Sequence, residues 1–273
     1  MFFPVFIFGL FIGSFLNVLS DRFPKGEAVV KGRSHCDKCR KTLVWHDLIP
    51  LLSFVFLKGK CRYCKTSLSF YYPIVELTTG ILFMLTTFFV FNGSQFFPLR
   101  QVFEEQAIFN FQLLIPLIYY LFIVSSLIVI FFADLKYGII PDKIIFPVIF
   151  ISIIYLILNT QYAVLSHLFS ALGACLFFLF LSLIKIKKRE SMGIGDVKFA
   201  FLMGLILGFP NIIVSLYIAF LTGAIVGCIL ILWRKKRVFG TSIPFGPFLV
   251  TGTLGAIFYG EILIQGFLRL ASL

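Results

Sequence analysis

Apolar runs about 20 residues long fill most of the chain, and an α-helix of that length can cross the ~30 Å hydrocarbon core of a bilayer. Of the 273 residues, 60% are hydrophobic and only 13% are charged. A soluble protein would have about a quarter of its residues charged, so most of this surface must face lipid. The runs predict eight spans, near residues 2–20, 70–91, 113–133, 140–158, 163–184, 192–208, 211–233 and 246–268.

The predicted fold is therefore an all-α polytopic membrane protein with about eight transmembrane helices, and six or seven spans are the alternatives. The run at 192–208 is the weakest, because Phe209, Pro210 and Asn211 interrupt a stretch that is continuously apolar only from Val197. The first run, within residues 1–20, lacks the basic start of a signal peptide, so it is predicted to remain as an uncleaved helix.

The positions of Lys and Arg predict the orientation, because basic loops stay in the cytoplasm. Twenty-two of the 24 basic residues fall in alternate connections between the predicted spans, at residues 21–69, 134–143, 185–198 and 234–237. Both termini are therefore predicted to lie outside. The net charge of +12 would suggest nucleic-acid binding in a soluble protein, but the topology accounts for it, and no nucleic-acid partner is expected.

Residues 21–69 form the one predicted soluble domain, a cytoplasmic segment that precedes a membrane domain at 70–273. Its cysteines have the spacing C-x2-C-x21-C-x2-C and are Cys36, Cys39, Cys61 and Cys64. This pattern predicts a tetrahedral zinc site with sulfur ligands at about 2.3 Å. The alternatives are a pair of disulfides, which the cytoplasm disfavours, or four thiols with no special role. His35 is an alternative ligand. A closed four-sulfur site leaves no position for water, so the zinc is predicted to be structural.

Acidic residues within apolar spans indicate function, because burying a charge in a membrane is costly. Four acids qualify, and they are Glu76, Asp134, Asp196 and Glu261. The topology places Asp134 and Asp196 at the same cytoplasmic depth, and Asp196 follows Gly193 and Gly195, which leave room for a close approach. Two such carboxylates can share one proton, so that one activates water while the other protonates the substrate. Asp142 is instead predicted to be the N-cap of the next helix.

Several motifs, in order along nearly the whole chain, resemble the bacterial type IV prepilin peptidase family. They are Gly13-Ser14-Phe15-Leu16-Asn17-Val18 with Arg22 and Pro24, the two Cys-x-x-Cys pairs, Trp45-His46-Asp47-Leu48-Ile49-Pro50 with Ser53, Lys58-Gly59-Lys60-Cys61-Arg62, Tyr72-Pro73-Ile74-Val75-Glu76, Asp134 to Asp142, and Gly193-x-Gly195-Asp196-Val197-Lys198. In that family the first Asp of the D-x7-D stretch and the Asp of the GxGD motif are catalytic, and they correspond to Asp134 and Asp196.

The resemblance implies an aspartyl endopeptidase of the bacterial inner membrane. It implies removal of a short basic leader from prepilin or pseudopilin precursors at the cytoplasmic face. It also implies N-methylation of the new N-terminus with S-adenosylmethionine, for which the residues themselves suggest no binding site. The basic cytoplasmic loop should repel such a leader, unless acids drawn from Asp21, Glu27, Asp37, Asp47 and Glu76 form a local acidic patch.

Two other functions remain as alternatives. A zinc-regulated channel or transporter could use the same acids to line an ion path. A membrane scaffold could bind a partner through the zinc domain. The grouping of the acids at one face of the membrane favours the peptidase, because an ion path needs charged or polar groups across the midplane.

Overall fold

A computed structural model describes residues 2–27, 29, 34–36, 38–91, 111–159, 164–186, 189–190, 193–233 and 244–271. Within these ranges the α-helices are α1 Phe2–Arg22, α2 Leu52–Phe56, α3 Tyr71–Phe91, α4 Phe111–Tyr137, α5 Asp142–Leu158, α6 Val164–Leu183, α7 Ile194–Leu207, α8 Asn211–Trp233 and α9 Gly246–Ala271. A 3-10 helix covers Trp45–Leu48, and two short strands, β1 Lys185–Ile186 and β2 Arg189–Glu190, pair as an antiparallel hairpin.

Each of the eight predicted spans coincides with a helix, so the predicted helical membrane fold is confirmed, with one short β-hairpin in addition. Among the residues that the structure describes, six helices are long and apolar enough to cross a bilayer: α1, α3, α4, α6, α8 and α9. The other two are shorter, since α5 has 17 residues and α7 has 14. At 1.5 Å per residue α7 is only about 21 Å long. This agrees with the sequence, in which the run at 192–208 was the least certain of the predicted spans. The count of eight spans is therefore approximate.

The described residues fall into two compact units. The first lies within 1–92 and 107–132, and its central contact is between α1 and α3. The helices approach closely because small residues face each other: a Cβ at Gly9 would lie 2.8 Å from the Cα of Gly80, and a Cβ at Gly13 would lie 2.7 Å from the Cα of Glu76. Glycine is needed at both positions of α1 for this backbone approach.

The second unit lies within residues 133–271 and contains α5 to α9. Leu156 of α5, Ala171 of α6 and Leu205 of α7 form a buried apolar cluster. Gly204 lets α7 press against the backbone of α6 at Ala171. The buried His167 ring of α6 hydrogen-bonds through Nδ1 to the Leu205 carbonyl at 2.8 Å. These contacts fix the far end of α7, whose first turn carries Asp196.

Candidate active site and metal centre

Asp134 lies inside a helix, in the last turns of α4, and its side chain is buried with 5% exposure. The apolar run ends near residue 133, but the helix continues to Tyr137. It stops there because Gly138 adopts a left-handed φ of 65° and donates its N–H to the Asp134 carbonyl at 2.8 Å. The carboxyl group is therefore attached to regular backbone rather than to a mobile loop.

Asp196 lies in the first turn of α7 and is half-buried. Gly193 is the N-cap, and its carbonyl accepts the Asp196 N–H at 3.1 Å. A Cβ at Gly195 would lie 3.2 Å from the Cβ of Ile140, in the connection between α4 and α5. Gly195 thus allows the start of α7 to pack closely on this connection, as the sequence predicted for a position beside the acid.

The structure brings Asp134 and Asp196 together within the second unit. The negative charge of Asp134 acts on the Asp196 carboxyl group. Two carboxyl groups in such a setting favour a state with one shared proton. The catalytic role of the two residues stays a prediction.

Gly246 is a site residue that the sequence analysis did not single out. As the first residue of α9 it donates its backbone N–H to Oδ2 of Asp134 at 2.9 Å, in a buried contact. A Cβ at this position would lie only 2.5 Å from the same oxygen. The available signal was the run Pro244-Phe245-Gly246-Pro247, in which a glycine between prolines marks a helix start. Nothing in the run indicated which side chain its N–H would reach.

Aromatic packing holds the start of α9 in place. The ring centroid of Phe245 is 5.4 Å from that of Phe220 on α8 and 6.3 Å from that of Phe178 on α6. Phe248, one turn into α9, lies 6.1 Å from the same ring. Because Phe245 precedes Gly246 directly, these contacts fix the direction of the Gly246 N–H toward Asp134.

The prediction that Asp142 caps α5 is wrong by one position. Pro141 is the N-cap with an extended backbone (φ −71°, ψ 120°), and Asp142 is the first helical residue, with no side-chain capping bond. Proline takes the cap because its fixed φ suits an extended residue before a helix. The Oδ1 atom of Asp142 accepts instead from Nζ of Lys198 at 2.7 Å. This ion pair joins the start of α5 to the first turns of α7.

Two of the other acids named from the sequence, Glu76 and Asp47, have hydrogen-bond or ion-pair partners. Glu76, on α3, has 8% exposure and accepts the Leu51 N–H at 2.8 Å. Asp47 pairs with Arg62 at 2.6 Å, and its side chain is nearly covered. The proposed acidic patch therefore loses Asp47 as a free charge, and Asp37 lies outside the described residues. Glu261 is half-exposed on α9.

The four cysteines of the spacing motif form one cluster. Their sulfur atoms all lie within 4.8 Å of one another, and the Sγ atoms of Cys36 and Cys64 are 3.8 Å apart. Four sulfurs at about 2.3 Å from a central zinc ion lie about 3.8 Å apart in a tetrahedron, so the arrangement fits zinc. His35 is exposed and is not a member of the cluster.

The two cysteine pairs have the same local structure. The Arg40 N–H bonds to the Cys36 carbonyl at 2.8 Å, and the Lys65 N–H bonds to the Cys61 carbonyl at 3.0 Å. Arg40 and Lys65 have left-handed φ values of 57° and 58°, which close each turn. Each turn directs its two thiols to one side, as a four-sulfur site requires.

Hydrogen bonds also prepare one ligand for metal. The side chain and backbone of Thr66 donate to the Cys64 sulfur and lower the pKa of its thiol to about 6. Metal ions bind the thiolate, so this contact favours the form of Cys64 that a metal needs. Cys175 and Cys228, within α6 and α8, are partly or fully exposed on membrane helices, as expected for small residues beside lipid.

Comparison with known proteins agrees with this arrangement. Residues 7–90 match the Bacterial Peptidase A24 N-terminal domain, and residues 121–228 match the Type IV leader peptidase family. These matches contain the tetracysteine cluster and both aspartates of the pair, respectively.

Similar proteins from several bacteria are named Prepilin leader peptidase/N-methyltransferase, and three of them illustrate the match. That of Bacillus subtilis (strain 168) is 32% identical over 98% of both chains. That of Xanthomonas campestris is 29% identical over 97% of this chain and 93% of its own. That of Legionella pneumophila is 29% identical over 98% and 94%. No solved structure matches the chain. The relatives and the membrane helices together make this a multi-pass inner-membrane protein, and the chain belongs to the type IV leader peptidase family.

Proposed function

We propose that this chain is a membrane aspartyl endopeptidase that removes the short basic leader from type IV prepilin or pseudopilin precursors and N-methylates the new N-terminus. The observation that carries the peptidase assignment is the buried Asp134, which interacts with Asp196 and accepts the Gly246 N–H. The named relatives support the choice of substrate and the second activity.

The two carboxyl groups have different roles in hydrolysis, one as the base and the other as the proton donor. The Gly246 N–H stabilises negative charge on Asp134, so Asp134 is the base and Asp196 holds the shared proton. Asp134 takes a proton from a water molecule as the water oxygen attacks the scissile carbonyl carbon. Asp196 gives its proton to the carbonyl oxygen, which produces a tetrahedral diol.

The second step returns the protons. One hydroxyl of the diol passes its proton back to Asp196, the carbonyl re-forms, and the C–N bond breaks. The proton that Asp134 took from water moves to the leaving nitrogen, so the new amine leaves neutral and the pair recovers its single shared proton. Asp134 therefore needs a fixed orientation in both steps, which the Gly246 N–H and the regular backbone of α4 provide.

The tetracysteine cluster serves a structural purpose in this proposal. Cys36, Cys39, Cys61 and Cys64 bind one zinc ion, which supplies folding free energy to a segment whose described residues include few buried apolar side chains. A closed four-sulfur site has no position for a reacting water. The site of cleavage is at the cytoplasmic face, on the side of the loops that are rich in Lys and Arg.

Methylation follows cleavage, because the amine that accepts the methyl group exists only after the leader has left. S-adenosylmethionine supplies the methyl group when it is bound. Among the described residues we assign none to this donor. The assignment of the second activity rests on the relatives' name and on the match of residues 7–90 to the N-terminal domain of bacterial members.

One incubation tests both activities. The purified chain is mixed with a prepilin precursor and the methyl donor, and the product is examined by mass spectrometry. The expected product lacks the leader and has gained one methyl group. A shortened product without the added methyl group would restrict the protein to peptidase activity, and an intact precursor would overturn the proposal. Glu261→Gln, a change to a half-exposed acid of α9, serves as a control that should cleave normally.

A further inference from the structure

The segment between the first two membrane helices exposes large apolar side chains, although it was predicted to be a soluble domain. Trp45 is 76% exposed at the start of the 3-10 helix. Leu52, Val55 and Phe56 form one side of the short helix α2 and are 55%, 69% and 81% exposed. Such a group on a water-exposed surface is costly and marks an interaction site. We call these four side chains the apolar edge.

The side of α2 opposite the apolar edge packs against the rest of the protein through Phe54. The Phe54 ring packs against the Phe70 ring at a centroid distance of 5.3 Å and lies under Gly59, where a Cβ would be 3.1 Å from Cζ of Phe54. The apolar edge is therefore the outer face of a helix that is already anchored to the protein. The side chains of the apolar edge are exposed although the inner face of α2 is already packed against the protein.

Two contacts give the depth of α2 relative to the membrane helices. Leu51, directly before α2, donates its N–H to Glu76 at 2.8 Å. Glu76 is five residues inside α3, or about 7 Å along the axis of a helix long and apolar enough to span the bilayer. Phe70, which contacts α2 through Phe54, is the residue immediately before α3. The beginning of α2 thus lies beside the first turns of a spanning helix.

The position of Glu76 beside the first membrane helix agrees with this depth. A Cβ at Gly13 would touch Glu76, so Gly13 lies at the level of the Leu51 contact. Gly13 is nine residues before Arg22, the charged end of α1, which is about 13 Å along the helix. Both helices therefore place Leu51, the residue before α2, below the charged ends of the spans.

The charges near α2 suit the same environment. Lys58 and Lys60 follow α2 directly and are exposed. Basic side chains at the level of the headgroups are attracted to anionic lipid, and tryptophan favours the same region. An apolar face flanked by lysines is the pattern of a helix that lies in the interface of a membrane.

We infer that the apolar edge, Trp45 with Leu52, Val55 and Phe56, inserts into the lipid of the adjacent leaflet at the boundary between headgroups and acyl chains. The tetracysteine segment is then held against the membrane by lipid contacts in addition to its covalent links to α1 and α3. This inference rests on the membrane fold and does not depend on the proposed catalytic reaction.

The chain has only two tryptophans, Trp45 and Trp233, which makes a fluorescence test direct. The full chain is reconstituted in vesicles of phosphatidylcholine and phosphatidylglycerol. One reporter is Trp45 in the Trp233→Phe variant. A second is placed on α2 by Phe56→Trp, in a chain that also carries Trp45→Phe and Trp233→Phe. A matched control in the same background is Lys38→Trp, at an exposed position between the first two cysteines.

Emission is then quenched either from the lipid or from the water. Lipids brominated near the glycerol end of the acyl chain should quench both reporters strongly, and more than lipids brominated near the chain terminus. Aqueous iodide should have little effect on them but should quench the Lys38→Trp control. Strong iodide quenching of either reporter without lipid quenching would place the edge in water and overturn the inference. Protection from both quenchers would mean that protein covers the edge, and that would also overturn it.

Discussion

Gly246 and Asp134 are 112 positions apart in the sequence, yet the Gly246 backbone N–H donates to Asp134 Oδ2 at 2.9 Å. The contact is buried, and it directs the first N–H of α9 at the carboxyl group. A helix N-terminus carries partial positive charge, so it stabilises an anion at this oxygen. The pair of carboxyl groups is thereby made unequal before any substrate binds.

Gly246→Ala tests this contact. The new Cβ would lie 2.5 Å from Oδ2, so the carboxyl group must turn away and lose the hydrogen bond. Loss of a hydrogen bond to a charged group costs about 1.5–3 kcal/mol, which corresponds to roughly a 10- to 100-fold fall in kcat. KM should change little. Gly266→Ala is the control, because it lies on the same helix with no atom within 4 Å of the added Cβ. Equal rates for both variants would contradict the role of Gly246.

Cys36→Ser should remove bound zinc, because three sulfurs do not complete the tetrahedral site. Metal analysis of the purified wild-type chain should give about one zinc per chain, and the variant should give much less. Cys175→Ser, which changes a cysteine in α6 outside the cluster, should retain the metal. A wild-type zinc content near zero would remove the basis for a structural metal.

Glu76→Ala should weaken the attachment of the segment around α2. The change leaves the Leu51 N–H without its acceptor, which costs about 1–3 kcal/mol. Glu76→Gln keeps an oxygen that can accept the same N–H, so it should be closer to wild type. The rate of limited proteolysis within residues 38–69 measures the difference between the two variants. If the two variants were cut at the wild-type rate, the Leu51 contact would contribute nothing to holding this segment.

Asp142→Asn should retain most cleavage activity. The ion pair with Lys198 is partly exposed, with side-chain exposures of 32% and 55% for Lys198 and Asp142, and such pairs contribute less than about 1 kcal/mol. Asparagine can still accept a hydrogen bond from Lys198. Steady-state cleavage of a precursor gives the measurement. Complete inactivation would instead show that Asp142 acts directly in the reaction.

The sequence predicted the helices well because bilayer thickness fixes how long an apolar run must be. It also grouped the cysteines correctly, since metal ligands have characteristic local spacing. The end of α4 was missed because Asp134 and Lys136 end the apolar run but do not end a helix, and the stop comes from the left-handed Gly138. Apolar periodicity carries no information on such a stop.

Contacts made through backbone groups were harder to anticipate. The Gly246 N–H to Asp134 and the Leu51 N–H to Glu76 join distant segments through atoms that every residue except proline carries. Their donors are not distinguished by residue type, and only the packed fold selects them. The sequence could thus identify the acceptors, both acids within apolar runs, but not what they bind.

Asp134→Asn and Asp196→Asn, compared singly and together, test the central claim most directly. Asparagine keeps the size of the side chain but cannot exchange the shared proton, so each single change should lower precursor cleavage by about 10²- to 10⁴-fold. The double variant should be no worse than the slower single one, because residues that act as one unit are not additive. Processing of a precursor by Asp196→Asn at the wild-type rate would contradict the aspartate pair and return the ion-path function to consideration.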